Sequence, residues 1–143
     1  MAINRSGSAT WQGGLKDGKG TISTGSGTLK DTRYGFAMRF ENEPGTNPEE
    51  LIAAAHAGCF AMALSAELGQ AGMVPARLAV TATVTLEKTD AGFTVTRSDL
   101  DLVAVIPGAD TAAFEKAAAG AKAGCPISRL LNAEITLATK LES

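Results

Sequence analysis

One histidine, two cysteines and no block of lysine or arginine set the first limits on this chain. With a single imidazole the chain shows no Ser-His-Asp logic, and no phosphate loop or dinucleotide fingerprint is present. Formal charge is −2, from 13 basic and 15 acidic residues spread along 143 positions, so no nucleic-acid or lipid-headgroup surface is marked. No apolar run is expected to reach the roughly 20 residues of a membrane span once Glu67 and Gln70 interrupt it. The start, "MAINRSGSATWQGG", lacks the basic and apolar segments of a signal peptide, which points to the cytosol. A reducing compartment disfavours a permanent disulfide, so the two thiols are either small inert core residues or a redox pair.

What is present reads as one α+β domain over 1–143. Hydrophobic residues make up 45% and charged residues 20%, the balance of a chain able to bury a core. The first 40 residues are strand-like: "SATWQGG", "KGTISTGSGTLK" and "TRYGFAMRF" are parted by turn signals such as "KDGKG". In the third segment Tyr34, Phe36, Met38 and Phe40 alternate with Arg33, Gly35, Ala37 and Arg39, predicting a strand with an aromatic face and Arg39 on the other.

"NEPGTNPEEL" then opens a helix, with Asn47 as N-cap, Pro48 in the first helical position and Glu49 and Glu50 at the positive end of the dipole. Glu50, three residues after Asn47, can close a capping box. The helix is expected to stop near Gly69 or Gly72. From Ile52 to Leu64 its apolar residues cover the whole circumference, which requires burial on every side, as between two subunits. "RLAVTATVTLEKTD" and "FTVTRSDLDLVAVIP" form a strand pair. In the second, apolar parity switches from Phe93 and Val95 to Leu100, Leu102, Ala104 and Ile106, predicting a bulge or bend. A helix follows, capped by Asp110 or Thr111, then a helical turn from Cys125–Pro126 and a last strand in "AEITLATKLE". The order is β3-α-β2-α2-β.

The long helix carries Cys59 in its interior, where burial raises a thiol's pKa and a nearby cation is needed to hold a thiolate. Read alone, Cys59 is first a small core residue. Cys125, before Pro126, is placed either at a helix N-terminus, which lowers a thiol's pKa, or simply in a turn. His56, one turn before Cys59, is either a base for that thiol or a packed core side chain. Cys59, His56 and Cys125 make only three ligands, one short of a structural zinc site. Arg39, Arg77 and Arg129 are the candidate cations, each with an ordinary reading as a solvated arginine. At 100° per residue Glu49 lies about 80° from Cys59 around the helix and Glu50 about 180° away, which favours Glu49 as a site residue.

"TNPEELIAAAHAGCFAMALSAEL", followed at a distance by "GCPISRLL", resembles the OsmC/Ohr family of thiol-dependent peroxidases. "AHAGCF" and "CPIS" favour its OsmC branch, the osmotically inducible proteins. The opening "TWQGGLKDGKGTISTGSGTL" and "YGFAMRFENEPGTNPEEL" extend the resemblance over essentially the whole chain. It implies an OsmC-like intertwined homodimer with the central helix buried between sheets and the sites at the subunit interface. It further implies a metal-free, cofactor-free peroxidase of organic hydroperoxides, less active on hydrogen peroxide. Cys59 is then the peroxidatic thiol, Cys125 the resolving thiol, and Arg39 and Glu49 an ion pair completing the site. Phe60, Met62 and their neighbours are expected to make an apolar substrate pocket. The electron donor is implied to be a dithiol such as a lipoyl group. Two rival classes are a non-enzymatic dimeric small-ligand-binding domain and a redox sensor. No appended effector domain or DNA-reading element favours the sensor.

Overall fold

The computed structural model describes residues 1–143 and resolves two compact units, Met1–Leu51 and Ile52–Ser143. The first holds β1 (Gly7–Gln12), β2 (Lys19–Thr24), β3 (Thr32–Tyr34) and a one-turn helix, α1 (Phe36–Phe40). Its strands form an antiparallel sheet in the order β1-β2-β3, with Trp11 opposite Gly20 and Gly20 opposite Tyr34. Trp11 and Tyr34 meet edge to face, ring centroids 5.6 Å apart. Gly20 lies under both rings, and a Cβ there would collide with each.

Here the sequence expectation is corrected. The strand predicted through Phe40 ends at Tyr34, and Phe36–Phe40 is helical. Residues 36 and 40 share a face at a period of two and also at a period of 3.6, so five residues could not separate the two patterns. In the helix Phe36 and Phe40 stack at 4.8 Å between centroids. The returning chain takes up the hydrogen bonds that a longer β3 would have used. The Thr46 N–H bonds the Arg33 carbonyl at 2.9 Å, and Thr46 bridges Tyr34 in parallel.

α2 (Pro48–Gln70) starts as read: the Asn47 side-chain oxygen accepts from the Glu50 N–H at 2.8 Å. Glu50 does not close the capping box but accepts instead from the Thr46 hydroxyl at 2.9 Å. The helix ends in a Schellman motif, Met73 N–H to the Leu68 carbonyl and Gly72 N–H to that of Gly69. Gly72 takes φ +78°, the left-handed conformation that makes glycine the natural residue there. Only His56, Phe60, Leu64 and Leu68, one stripe at four-residue spacing, are buried. Ala54, Ala55, Gly58, Met62, Ala66 and Gly69 are exposed. At 23 residues α2 is long and apolar enough to cross a membrane by length and composition, which corrects the expectation that no run approaches that length.

The second unit adds β4 (Arg77–Thr89), β5 (Gly92–Val105), α3 (Thr111–Gly124), α4 (Pro126–Leu130) and β6 (Glu134–Glu142). β4 and β5 pair antiparallel, and β6 lies parallel to β5 after the helical crossover. The predicted bulge is present: Thr85 pairs Arg97 and Leu86 pairs Val95, leaving Thr96 as the extra residue. Its buried hydroxyl has no hydrogen-bond partner. The extra residue returns Phe93, Val95, Leu100, Leu102 and Ala104 to one face despite their change of parity. The core gathers Phe60, Leu64 and Leu68 of α2, Leu100, Leu102, Ala104 and Ile106 of the β5 line, and Phe114, Ala117, Ala118 and Ala121 of α3. The Asp110 side chain caps α3 by accepting from the Ala112 N–H.

Candidate active site

Two groups of side chains assemble, one in each unit. In the first unit α1 is held by the Asn47 side chain, which donates to the Met38 carbonyl at 3.1 Å. That fixes the adjacent Arg39, whose Nε and Nη2 donate to the two oxygens of Glu49 at 2.8 and 2.9 Å. This is a bidentate, charge-assisted pair between planar groups. The Arg39 side chain keeps 38% of its exposure and that of Glu49 13%, so the guanidinium is held but open. Its carbon lies 5.5 Å from the centre of the Phe40 ring, so Arg39 is not turned away from the aromatic residues as the strand reading had it. Beside it, Trp11, Leu15, Tyr34, Gly35, Phe36 and Phe40 line a cleft of about 200 Å³ with Arg39 in its wall. The sequence had indicated Phe60 and Met62 as the apolar lining. Phe60 is fully buried in the core and Met62 is 78% exposed, so the two do not share a pocket. A larger cleft of about 620 Å³ in the first unit has charged walls, with Lys16, Lys19, Arg33, Asp17 and Glu43, and contains no thiol.

In the second unit the structure brings Cys59 and Cys125 together. Both are free thiols, Cys125 buried and Cys59 partly so, and the two side chains are within hydrogen-bonding reach. Burial pushes the Cys59 thiol above its ordinary value; a bond from the Ile127 backbone N–H pulls the other way, and the neighbouring Cys125 raises it further. No cation is among these causes. Cys125 stands in extended backbone between α3 and α4, capping the end of one and the start of the other. Its sulfur accepts from the Ser128 N–H at 3.4 Å, with Pro126 in the first turn, so it does sit at a helix start.

His56, whose role the sequence left open, and two serines that sequence reading missed complete this cluster. His56 is fully buried; its Nδ1 is 2.7 Å from Ser98 Oγ and its Nε2 2.8 Å from Ser128 Oγ. The Cys125 thiol donates to Ser128 Oγ at 3.1 Å. Burial lowers the His56 pKa from 6.5. The one available signal was Ser98, a polar residue on the apolar line of β5. Ser128, inside "CPIS", carried none beyond the motif itself. No group of three or more His, Cys, Asp or Glu side chains is placed to hold a metal ion.

Comparison with known proteins matches residues 40–140 to the family of OsmC-like proteins. The chain is 53% identical to Peroxiredoxin OsmC of Escherichia coli strain K12 over 143 residues, all of both chains. Among solved structures it is similar to an organic hydroperoxide resistance protein OsmC of Legionella pneumophila, 26% identical, TM-score 0.68, with all of both chains covered. It is also similar to the organic hydroperoxide resistance protein OhrB of Bacillus subtilis, 25% identical, TM-score 0.67, covering 96% of this chain and 98% of that one. The chain is a thiol peroxidase and belongs to the OsmC family.

Proposed function

We propose that this peroxidase reduces organic hydroperoxides with Cys59 as the attacking thiolate and Cys125 as the resolving thiol. The Cys59 sulfur attacks the outer peroxide oxygen, the O–O bond breaks, an alcohol leaves, and a sulfenic acid remains on Cys59. The Cys125 sulfur then displaces the sulfenic oxygen, giving a disulfide and water. A dithiol donor, for which a lipoyl group is the proposed type, returns both thiols in a cytoplasmic, reducing compartment. The observation that carries this reading is the adjacency of the chain's two cysteines, 66 positions apart in sequence, one partly and one fully buried.

The cation that Cys59 lacks is supplied by the Arg39–Glu49 pair of a second copy. Two observations support a homodimer. The outward face of α2 is apolar and made of small residues and Met62, and Arg39 is held by Glu49 with its guanidinium open. The aromatic cleft beside Arg39 suits an alkyl or aryl group better than the small, water-like hydrogen peroxide. In this arrangement the guanidinium both holds the thiolate and polarises the peroxide.

The test is a free-thiol count by alkylation and intact mass, before and after one equivalent of an aryl hydroperoxide. Loss of both thiols as a Cys59–Cys125 disulfide, abolished in Cys59→Ser, is expected. Two unreacted thiols in folded protein return the chain to a ligand-binding role. A monomer by analytical ultracentrifugation at micromolar concentration removes the two-copy site.

A further inference from the structure

We propose that His56 and Ser128 form a relay that takes the proton from Cys125 when it attacks oxidised Cys59, with Ser98 holding the imidazole in place. The proposal rests on the two-cysteine reading above. Its basis is a single file of four side chains: Ser98, His56, Ser128 and Cys125, linked at 2.7, 2.8 and 3.1 Å. They come from β5, α2, α4 and the α3–α4 junction, and all four are buried.

The relay uses one of the two neutral tautomers. In it the Ser128 hydroxyl accepts from the Cys125 thiol and donates to His56 Nε2, so Nε2 is the bare nitrogen and Nδ1 carries the hydrogen, donated to Ser98 Oγ. An imidazole so disposed is a proton acceptor one hydroxyl away from the thiol. Transfer along the file leaves an imidazolium that donates at both nitrogens, to Ser98 and to Ser128, while the Ser128 hydroxyl turns to donate to the Cys125 thiolate. Every group keeps a partner in both states and no heavy atom needs to move. A second bond already points at that sulfur, from the Ser128 N–H at 3.4 Å. Burial lowers the His56 pKa from 6.5, so the imidazole enters the step in its neutral form.

The chemistry balances. The Cys125 thiolate attacks the Cys59 sulfur; the S–S bond forms as the S–O bond breaks, and hydroxide leaves with the electron pair. The proton held on His56 passes back through Ser128 to that hydroxide, which departs as water. The sum is sulfenic acid plus thiol giving disulfide plus water, with Cys59 reduced from the sulfenic state as Cys125 is oxidised. A buried histidine that only packs also needs partners for both nitrogens. What packing does not require is that one of those partners also touch the resolving sulfur at both its hydroxyl and its backbone N–H.

His56, Ser128 and Ser98 are thus positioning residues for the second step and spectators in the first, and single-turnover kinetics separate the two. Enzyme is mixed with one equivalent of an aryl hydroperoxide and quenched over time with a sulfenic-acid trap and a thiol alkylator, then read by intact mass. In Ser128→Ala, peroxide loss keeps its wild-type rate, while sulfenic acid accumulates and disulfide forms roughly a hundredfold more slowly. Ser128→Thr, which restores a hydroxyl, recovers most of the rate. His56→Asn slows the same step, and combining it with Ser128→Ala adds little. Wild-type disulfide formation in Ser128→Ala overturns the relay, as does equal slowing of both steps, and so does failure of Ser128→Thr to rescue. Should His56→Asn not fold, the two serine variants decide. A Cys125→Ser protein that accumulates no sulfenic acid overturns the two-cysteine reading and the relay with it. Accumulation there, combined with normal resolution in Ser128→Ala, removes the relay alone.

Discussion

The two units solve opposite electrostatic problems. In the first, a full ion pair is kept at the surface, its guanidinium clamped by both oxygens of Glu49 and still partly open. In the second, the reactive groups are strung on hydrogen bonds in and against the core: a buried and a partly buried thiol, a buried imidazole and two buried serine hydroxyls. Each arrangement is the low-cost choice for its place. A charged pair buried in the α2–α3 core would pay a large desolvation penalty, while thiols and hydroxyls require only partners. In the proposed two-copy site the thiolate is not prepared where the thiol is stored. Burial in the second unit raises the Cys59 pKa, and the guanidinium proposed to lower it is Arg39 of another copy.

The comparison can be broken or sharpened by experiment, beginning with its packing. Leu64→Ala empties a fully buried place in the second unit's core and is expected to cost about 3 kcal/mol in denaturant unfolding. A loss under about 1 kcal/mol would mean that α2 is not seated as described. Arg39→Ala is expected to slow peroxide turnover about a hundredfold, near 2.7 kcal/mol of barrier, with stability changed by less than about 1 kcal/mol. Unchanged turnover together with an unchanged Cys59 pKa would sever the first unit from the chemistry. Glu49→Gln, which keeps the size but not the charge of the clamp, should slow turnover less than Arg39→Ala does. A larger effect would make Glu49 more than a clamp.

Acid offers a gentler probe of the second unit. The folded state lowers the His56 pKa below 6.5, so the unfolded chain binds more protons as pH falls. Stability from this source is complete above pH 6.5 and declines below it, toward the lower folded value; His56→Asn should flatten that slope in pH-dependent melts. The smallest effect belongs to Asp99. Bonds from Arg97, and then the Thr136 hydroxyl, hold its carboxyl down at about 2 from 3.8. Its contribution is present above pH 3.8 and is lost as pH falls through about 2. Asp99→Asn should remove that part of the acid limb and lower stability at neutral pH only modestly, because solvent screens this partly exposed pair.

Much of the molecule was legible where local chemistry leaves no choice. Asn47, Asp110, Cys125–Pro126 and Gly72 announced the helix ends because orphan backbone groups need those side chains or that conformation. The change of parity in β5 announced its bulge. The segment 36–40 was not legible, since two aromatic residues four apart satisfy a strand and a helix equally. The cysteines and the Arg39–Glu49 pair were found through the resemblance of their motifs. Ser98 and Ser128 were not found, because a serine gains meaning from a partner 42 or 72 positions away, and no local pattern carries that distance.

The bulge at Thr96 has a mechanical consequence. It works as a phase shifter set just ahead of the serine that anchors the imidazole. Deleting that one residue would reverse the facing of one side of the break relative to the other. Either Phe93 and Val95 would turn to the opposite face of the sheet, or Ser98 would turn outward and Arg97 inward, uncoupling His56 from the sheet. The orphaned Thr96 hydroxyl is therefore the visible cost of keeping a greasy strand and a proton wire in step on one face.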